Sequence, residues 1–462
     1  MLALLLASLP AGLEVGGHVQ DIAPEKVPVS VVGYFTARYA SEVADQLAAR
    51  TLVIRSGETR VAVQVVDSCG VSREDFDAAK RVASEATGIP AAHMFLSATH
   101  THTAPSAMPG LGTDADPDYR KQLVRQMAAS IIEANRTLRP AEAGWAQRDA
   151  GQFVYCRRWR MRPGTAETHP FTGHAENAAM MNPGHANPDK LEQTGPVDPA
   201  VMVLAFRDPR TKRPLAVLGN FNTHYAGAPM MSSDYFGVFC RRIGAELQAA
   251  GVGEPAGGFT ALMSNGTSGD ANCIDFSAEE RRKFDHVEVA EEVMEKAVAA
   301  YRSIDNWSGG LPLRVAGADV TFDKRLPGAD ELKAAKAFVA PWVADRLPRN
   351  KPEVYAREAI LLSEEDPTET VRLQTFALGD FALTAIPCEV YGGTGLRLKA
   401  ESPFPFTMNV GWANGYSGYL PPPDQHALGG YTTWRARSSF LEEGAEPRVV
   451  AELLRQLRSL RE

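Results

Sequence analysis

A chain of 462 residues is too long for one ordinary hydrophobic core, so its length predicts two or three packed layers with long insertions, or two domains. Hydrophobic residues make up 44% and charged residues 23% of the sequence, a balance that is typical of folded globular proteins and excludes disordered and collagen-like chains. The net charge is −8, and the sequence contains no run of basic residues. We therefore expect no nucleic-acid partner.

Cysteine content and hydropathy exclude further classes of protein. The five cysteines are odd in number and form no CxxC pair, which argues against a disulfide scaffold and against a zinc ribbon. No window reaches the roughly 18 apolar residues that a membrane span needs, so we expect no transmembrane segment. Residues 1–11 form an apolar run that ends in small residues but lacks a basic start. Two interpretations stay open: a short export signal of a secreted or periplasmic protein, or a plain N-terminal extension of a cytoplasmic one.

Short β-rich runs alternate with helices from about Leu13 onward. The first predicted strands are 52–56, 61–67 and 94–98. Ser72 resembles the start of a capping box, and the helix that it opens is predicted to end at Gly88. Asp116 opens a second helix, which carries one apolar face and ends at Pro140.

Residues 150–200 have no clean period and crowd Gly, Pro, Asn, Met and His together, as long functional loops do. The later predicted strands are 201–206, 215–221, 259–263, 313–322, 371–378, 381–386 and 406–411. Helices are predicted after Asp234, from a cap formed by Ser277 and Glu280, and from Pro447. No internal repeat is visible. The short gap between 371–378 and 381–386 indicates antiparallel pairing, and we predict an α+β fold with mixed, largely antiparallel sheets covered by helices and with long active-site loops.

The sharpest local feature is a His-Thr-His run at the end of a strand, which contains His100 and His102. Side chains two residues apart on a strand project to the same side, so both histidines can share one site. The run alone is weak support for a site, because one histidine satisfied in the core and one on the surface would give the same pattern.

Three further candidates follow later in the chain. His224 closes an Asn-Phe-Asn-Thr-His run after an apolar strand, Glu389 follows Pro-Cys after another strand, and Tyr431 follows a glycine pair. A solvated turn carboxylate and an ordinary aromatic plug are the alternatives for Glu389 and Tyr431. Two imidazoles and a carboxylate are the usual ligands of a catalytic zinc that keeps a position open for water or substrate. We therefore expect these distant loops to assemble one catalytic metal site.

A series of motifs runs along the chain in a fixed order: Asp21-Ile-Ala-Pro24, Gly33-Tyr34, Asp67, Ser97-Ala-Thr-His-Thr-His102, Asn222-Thr-His224, Pro387-Cys-Glu389 and Gly430-Tyr431. Together they resemble the catalytic region of the neutral (non-lysosomal, alkaline) ceramidase family. The resemblance implies the fold of that family, a small-molecule or lipid-like N-acyl substrate, and one zinc per chain bound by His100, His224, Glu389 and Tyr431. We expect residues 12–462 to form a single ceramidase-like catalytic domain, without the family's C-terminal immunoglobulin-like domain.

The resemblance also implies residues that act on the substrate. His102, the second histidine of the block, would face the substrate and help with proton transfer or with stabilising an oxyanion. Arg157 is the better match to an arginine of the family and Arg158 is the reserve. A pair of surface arginines is the alternative.

The resemblance breaks at the family's proposed nucleophile. Aligning Gly269-Asp270 with the Gly-Asp of the family places Asn272 where a serine would stand. Asn272 can donate or accept hydrogen bonds there but cannot form an acyl-enzyme, and Ser268 could replace the serine only on a shifted loop. Zinc can still lower the pKa of bound water to about 7. His102 or Asp270 is then the expected proton shuttle, unless Asp270 only holds its loop by bonding backbone amides.

We therefore predict a zinc-dependent hydrolase of an amide bond, with an ester as the less favoured substrate and zinc-bound hydroxide attacking directly. Two alternatives stay open: a ceramidase proper with a serine on a shifted loop, and a zinc-containing binding protein without turnover. Retention of His102 and Arg157, which a structural zinc site does not need, favours an enzyme. In residues 161–195, His174, His185 and Met180-Met181 line a substrate mouth, bind a second metal or belong to a solvated insertion. Acyl and amine specificity and oligomeric state are not indicated.

Overall fold

The fold is built from three units that share one topology. In each unit the first three strands are antiparallel neighbours, and the fourth strand pairs in parallel with the third. One helix connects the third strand to the fourth, and a second long helix follows the fourth strand. The computed structural model describes residues 12–175, 177–254 and 257–462, so the predicted export signal or extension at residues 1–11 lies outside the described residues.

The elements of each unit have the following bounds. Unit 1 contains the strands Leu13–Asp21, Ala48–Ser56, Thr59–Val66 and Met94–Ala98 and the helices Arg73–Thr87 and Pro117–Arg136. Unit 2 contains the strands Glu142–Asp149, Ala200–Arg207, Pro214–Phe221 and Thr260–Asn265 and the helices Asp234–Glu246 and His286–Arg302. Unit 3 contains the strands Leu313–Asp323, Thr368–Leu378, Phe381–Ala385 and Phe406–Val410 and the helices Gly392–Glu401 and Ala445–Arg461.

The three units also repeat in register. The last residue of the third strand pairs with the last residue of the fourth strand in every unit, in the pairs Val66–Ala98, Phe221–Asn265 and Ala385–Val410. The sequence shows no such repeat, because a sheet of this kind requires apolar residues and does not require particular ones. Mixed, largely antiparallel sheets covered by helices confirm the predicted α+β fold class.

One core is common to the three sheets. Leu52 of unit 1, Leu204 of unit 2 and Leu383 of unit 3 belong to it. The opposite face of each sheet packs against the two helices of its own unit. Strands that are buried on both faces consist of continuous apolar runs, which explains why strands such as 201–206 could be predicted from the sequence.

Helix boundaries follow the residues that cap them. The side chain of Ser72 caps one helix at its start, and Gly88 ends that helix in the left-handed conformation, with φ 70°. The helix predicted to begin near Ser277 begins instead at His286, because Asp285 supplies the cap. Within the described ranges, no helix is both long and apolar enough to cross a membrane.

Each unit carries an insertion between its first and second strands. Unit 1 inserts a hairpin, unit 2 inserts the segment that lacks a clean period, and unit 3 inserts two helices, which we call the helical hairpin. The inserted elements are the strands Val29–Val31, Arg38–Ala40, Tyr155–Cys156, Arg158–Met161, Ala179–Met181 and Lys190–Gln193 and the helices Ala329–Val339 and Lys351–Ser363. The remaining short elements are the strands Arg139–Pro140, Ala271–Asn272, Glu389–Val390 and Tyr419–Leu420, the helix Pro423–Ala427 and the 3-10 turns Ala91–His93 and Tyr431–Thr433.

A candidate metal centre where the three units meet

Three of the predicted ligands, one from each unit, converge in one buried cluster: His100, His224 and Glu389. The Nε2 atoms of His100 and His224 are 3.0 Å apart. Oε2 of Glu389 lies 3.6 Å from Nε2 of His100 and 3.8 Å from Nε2 of His224. All three residues follow the carboxyl ends of strands that belong to parallel pairs, which is the edge of a sheet where ligands commonly bind.

Backbone carbonyl groups orient both imidazoles. Nδ1 of His100 lies 2.6 Å from the carbonyl oxygen of Cys69, and Nδ1 of His224 lies 3.0 Å from that of Ser268. Because a carbonyl only accepts hydrogen bonds, each Nδ1 carries the proton and each Nε2 presents a lone pair to the cluster. Burial lowers the pKa of His100 to about 3 and that of His224 well below its ordinary value, which keeps both rings neutral.

The carboxylate of Glu389 is held at one oxygen only. The Tyr416 hydroxyl donates to Oε1 at 2.7 Å, whereas Oε2 is buried and has no hydrogen-bond partner among the described residues. Burial raises the pKa of Glu389 to about 7. A buried polar atom without a partner is costly. Two imidazole lone pairs and this oxygen are a donor set that fits zinc, which would satisfy all three.

A stacked tryptophan fixes the plane of the first imidazole. His100 and Trp412 occupy equivalent positions, two residues beyond the fourth strands of units 1 and 3, and both have positive φ, 65° and 49°. Their ring centroids are 4.5 Å apart and their planes differ by 23°. Residues with side chains adopt positive φ only at a cost, and such strain is concentrated at functional sites. The stacking therefore holds His100 in a conformation that the local backbone alone does not favour.

His102 lies beside the cluster and not within the His-His-Glu group. Its Nε2 is 3.0 Å from Nε2 of His100, and with Cys69 and His100 it forms a second group of potential ligand atoms. Its ring stacks on Tyr225, with centroids 4.0 Å apart. Only glycine fits at Gly33, where a Cβ would lie 2.5 Å from Cγ of His102. Burial lowers the pKa of His102 well below its ordinary value, so this imidazole is neutral too.

Arg157 reaches the cluster from the insertion of unit 2. Its Nη2 lies 3.3 Å from Nε2 of His224 and donates to the Gly269 carbonyl at 2.9 Å and to the Tyr419 hydroxyl at 3.2 Å. The side chain is buried, and nearby hydroxyls and the Glu389 carboxylate raise the pKa of Arg157 despite that burial. The guanidinium is therefore a fixed positive charge at the site.

Arg158, the reserve candidate, has a different environment. Its guanidinium donates to Gln425, to the Gly429 carbonyl and to the Thr432 hydroxyl. These contacts fix the segment that carries Tyr431. Arg158 therefore positions this segment and does not reach the imidazoles.

Tyr431, the fourth predicted ligand, lines a cavity of about 50 Å³ together with His100, His102 and Glu389. Its ring meets that of Tyr419 edge-on, with centroids 5.7 Å apart. Burial, followed by the charge of Glu389, raises the pKa of the Tyr431 hydroxyl above its ordinary value. Three of the four predicted ligands thus line this chamber, and the fourth, His224, does not line it but contacts His100.

Ser268 and Asn272 are not found among the described residues that line this chamber. Ser268 is fully buried, and its hydroxyl donates to Oδ1 of Asn265 at 2.9 Å. The side-chain amide of Asn272 donates to Oδ1 of Asn182 at 3.2 Å. The contribution of Ser268 to the cluster is its carbonyl oxygen, which accepts from His224.

Asp270 bonds to backbone and faces a different cavity. Its Oδ1 accepts a hydrogen bond from the amide of Gly392 at 2.8 Å, and its own carbonyl accepts from the amide of Arg157 at 2.9 Å. It lines a second cavity beside Tyr391. Burial raises the pKa of Asp270 to about 6. These contacts tie the loop of Asp270 to units 2 and 3.

The aromatic residues around the cluster were not predicted from the sequence. Trp412, Tyr416 and Tyr419 come from one segment directly after the strand Phe406–Val410, and Tyr225 follows His224. Aromatic residues interleaved with glycines at 411–419 were the available signal, because such a segment lets backbone and rings approach a site closely.

The histidines of residues 161–195 do not join the cluster. Neither His174 nor His185 belongs to a group of potential metal ligands among the described residues. Nδ1 of His185 lies 3.3 Å from the Ala278 carbonyl oxygen, and Met180 packs against a small core that includes Trp159. Nothing in these contacts supports a second metal there.

Solved ceramidases have a similar structure. Neutral ceramidase from Pseudomonas aeruginosa matches with a TM-score of 0.72 over 98% of this chain and 75% of that chain, at 16% sequence identity. A ceramidase complexed with C2 matches with the same TM-score, coverage and identity. No protein-family model matches the sequence, and no curated protein matches it either. The chain therefore has the neutral ceramidase fold, as the motifs implied, although its sequence is only 16% identical to these two.

Proposed function

We propose that this protein is a zinc-dependent hydrolase of an amide bond in an N-acyl substrate. The observation that carries the proposal is Oε2 of Glu389, which is buried without a hydrogen-bond partner among the described residues and lies beside two imidazole lone pairs. His100, His224, Glu389 and Tyr431 would hold one zinc per chain. When bound there, zinc supplies a Lewis acid that polarises a carbonyl group and lowers the pKa of bound water to about 7.

Arg157 supplies fixed positive charge for the reaction. Negative charge develops on the carbonyl oxygen when an amide is attacked, and a preorganised donor at that place lowers the barrier. The Gly269 carbonyl and the Tyr419 hydroxyl hold Nη2 of Arg157 beside the cluster. Because the side chain is buried, its charge is screened little by solvent.

His102 is the proposed proton carrier. Its imidazole is neutral, and Tyr225 and Gly33 confine its ring beside the cluster. Nε2 can accept a proton from the attacking water and return it to the leaving nitrogen. Positioned general acid–base groups contribute about 10²- to 10⁴-fold in rate.

Water and not a serine is the proposed nucleophile. Ser268 is turned to Asn265 in a fully buried position, and a direct attack by water needs no acyl-enzyme. Asp270 receives a positioning role, because its carboxylate is engaged by the amide of Gly392.

The substrate class is inferred by analogy with proteins of the same fold. The two solved structures described above are ceramidases, and one of them is complexed with C2. An N-acyl compound, lipid-like or smaller, is therefore the proposed substrate.

Metal analysis combined with a substrate screen tests the proposal. The purified protein should contain one zinc per chain and hydrolyse at least one member of a series that runs from ceramide to N-acyl amino acids. A chelator should abolish turnover, and added zinc should restore it. His185→Ala, which removes a histidine outside the cluster, is the matched control and should retain both metal and activity. If the protein binds zinc but hydrolyses no amide in the series, it is a zinc-containing binding protein. If a chelator does not reduce hydrolysis, the metal mechanism is excluded.

A further inference from the structure

A second guanidinium faces the chamber of the metal cluster. Arg437 lines the same cavity as His100 and Glu389. Its side chain is 17% exposed, compared with 4% for His100 and 3% for Glu389. Arg437 is therefore more exposed to solvent than these two proposed ligands.

Glu358 of the helical hairpin holds one edge of this guanidinium. Nε and Nη2 of Arg437 donate to the two carboxylate oxygens of Glu358 at 3.0 and 2.7 Å. The backbone amide of Arg437 also donates to Oε2 of Glu358, at 3.0 Å. Glu358 is fully buried, so the pair is shielded from water. A guanidinium held by two parallel hydrogen bonds is preorganised, and its remaining N–H donors have a fixed orientation.

The other edge of the guanidinium is free. Among the described residues, Nη1 of Arg437 has no hydrogen-bond partner. Arg158 and Arg325 are arginines of the same region that fix neighbouring segments, and each uses all three of its side-chain nitrogens on described residues. Arg437 differs from them because it keeps a donor available for a ligand.

The chamber is too small to enclose a large substrate. Its volume is about 50 Å³, whereas pockets that enclose drug-sized ligands measure roughly 300–1,000 Å³. A chamber of this size holds the reacting amide and little more. Arg437 and its neighbour Ser438 both line it and are therefore within reach of the groups attached to the amide.

We propose that Arg437 binds a carboxylate of the substrate, so that the amide cleaved is that of an N-acyl amino acid. This inference rests on the proposed amide hydrolysis. The reaction consumes one water: a C–O bond forms, the C–N bond breaks, and the leaving nitrogen takes the proton, which releases a carboxylic acid and an amino acid. Nη1 supplies a charge-assisted hydrogen bond to the carboxylate, and an uncharged analogue would leave this donor unpaired.

A matched pair of substrates tests the proposal on the zinc-loaded enzyme. N-octanoylglycine and N-octanoylglycinamide differ only in the carboxylate. The wild type should prefer the carboxylate by about 10- to 100-fold in kcat/KM, mainly through KM, because this contact binds substrate and transition state alike. Arg437→Gln should bring the ratio close to one. Arg437→Lys keeps a charge for Glu358, should fold even if the glutamine variant does not, and should give an intermediate ratio.

Arg435→Gln is the matched control. Arg435 lies two residues away and pairs with Glu331 of the same helical hairpin, but it lines a different cavity. The Arg435→Gln variant should prefer N-octanoylglycine over N-octanoylglycinamide by the same ratio of kcat/KM as the wild type. A wild type that cleaves both compounds equally, or that prefers the amide, overturns the role of Arg437 while amide hydrolysis stands.

Binding separates the two proposals if neither compound is cleaved. Calorimetric titration of the wild type with both compounds would then decide. Tighter binding of N-octanoylglycine that Arg437→Lys weakens supports the carboxylate site and rejects cleavage of this N-acyl amino acid. Equal binding of the two compounds rejects the carboxylate site, and the substrate screen alone then decides whether the protein hydrolyses an amide.

Discussion

The loops that follow the third strands of units 1 and 2 give different groups to the site. Cys69 and His224 occupy the same position, three residues past the strand end. His224 presents Nε2 to the cluster, whereas Cys69 offers its carbonyl oxygen to Nδ1 of His100 and keeps its Sγ 3.7 Å from that nitrogen. Glu389 stands four residues past the corresponding strand of unit 3. Equivalent backbone positions thus deliver different chemistry, so the fold sets the location and the individual side chains set the function.

The loops after the fourth strands are tied to one another. The amide of Ala98 donates to the Trp412 carbonyl at 3.1 Å, the amide of Gly411 donates to the Asn265 carbonyl at 3.1 Å, and the Asn265 side chain donates to the Thr99 carbonyl at 3.0 Å. These bonds form a closed ring through the three units. A site supported in this way is preorganised by the scaffold and does not depend on the ligand to bring its loops together.

The comparison of Cys69 with His224 gives the largest expected effect. His224→Ala should lose bound zinc and essentially all turnover, because it removes a ligand from the buried cluster. Cys69→Ala keeps the carbonyl that orients His100 and should keep zinc and most activity. Elemental analysis and kcat/KM of both variants check this. Undiminished zinc in His224→Ala would contradict the assignment, and zinc lost from Cys69→Ala would move the metal to the group of Cys69, His100 and His102.

His102→Ala should have the next largest effect. The variant should keep zinc and lose about 10²- to 10⁴-fold in kcat, because the proposed role of His102 is proton transfer and not ligation. Metal content and kcat are the measurements. Tyr225→Phe preserves the ring that stacks on His102 and serves as the control, with both quantities near those of the wild type. Metal lost from His102→Ala would instead make His102 a ligand.

Sequence patterns located the ligands but not their surroundings. His100, His224 and Glu389 stand where apolar runs end, and strands buried on both faces make such ends visible. The stacking of Trp412 on His100 depends on contact between units 1 and 3, and a repeat of backbone without a repeat of residues leaves no sign of that contact in the sequence. The helix predicted at Ser277 shows the same limit, because Asp285 is an equally good cap and tertiary packing selected it.

The Asp270→Asn variant distinguishes two roles of Asp270: a general base in catalysis, or a carboxylate that only holds its loop in place. Burial raises the pKa of Asp270 to about 6, above roughly 3.9 in an unfolded chain. The stability that this group contributes is fully present below about pH 4 and is lost as the pH rises through 6. The Tm of the variant relative to the wild type should therefore rise between pH 4 and pH 7, while kcat changes by less than about tenfold. A loss of about 10²-fold or more at unchanged stability would identify a general base.

Ser268→Ala should have the smallest effect on turnover. Alanine keeps the carbonyl that accepts from His224, so the ligand stays oriented and zinc stays bound. Asn265 loses the donor to its Oδ1, and an unsatisfied buried acceptor costs about 1–3 kcal/mol, so the variant should unfold at a lower denaturant concentration. Ser264→Ala is the matched control, since it removes another buried hydroxyl, the one that donates to the Gly219 carbonyl. Both variants should lose stability and retain kcat within about threefold. If Ser268→Ala alone abolished turnover with zinc and fold intact, the serine would be the nucleophile and attack by water would be wrong.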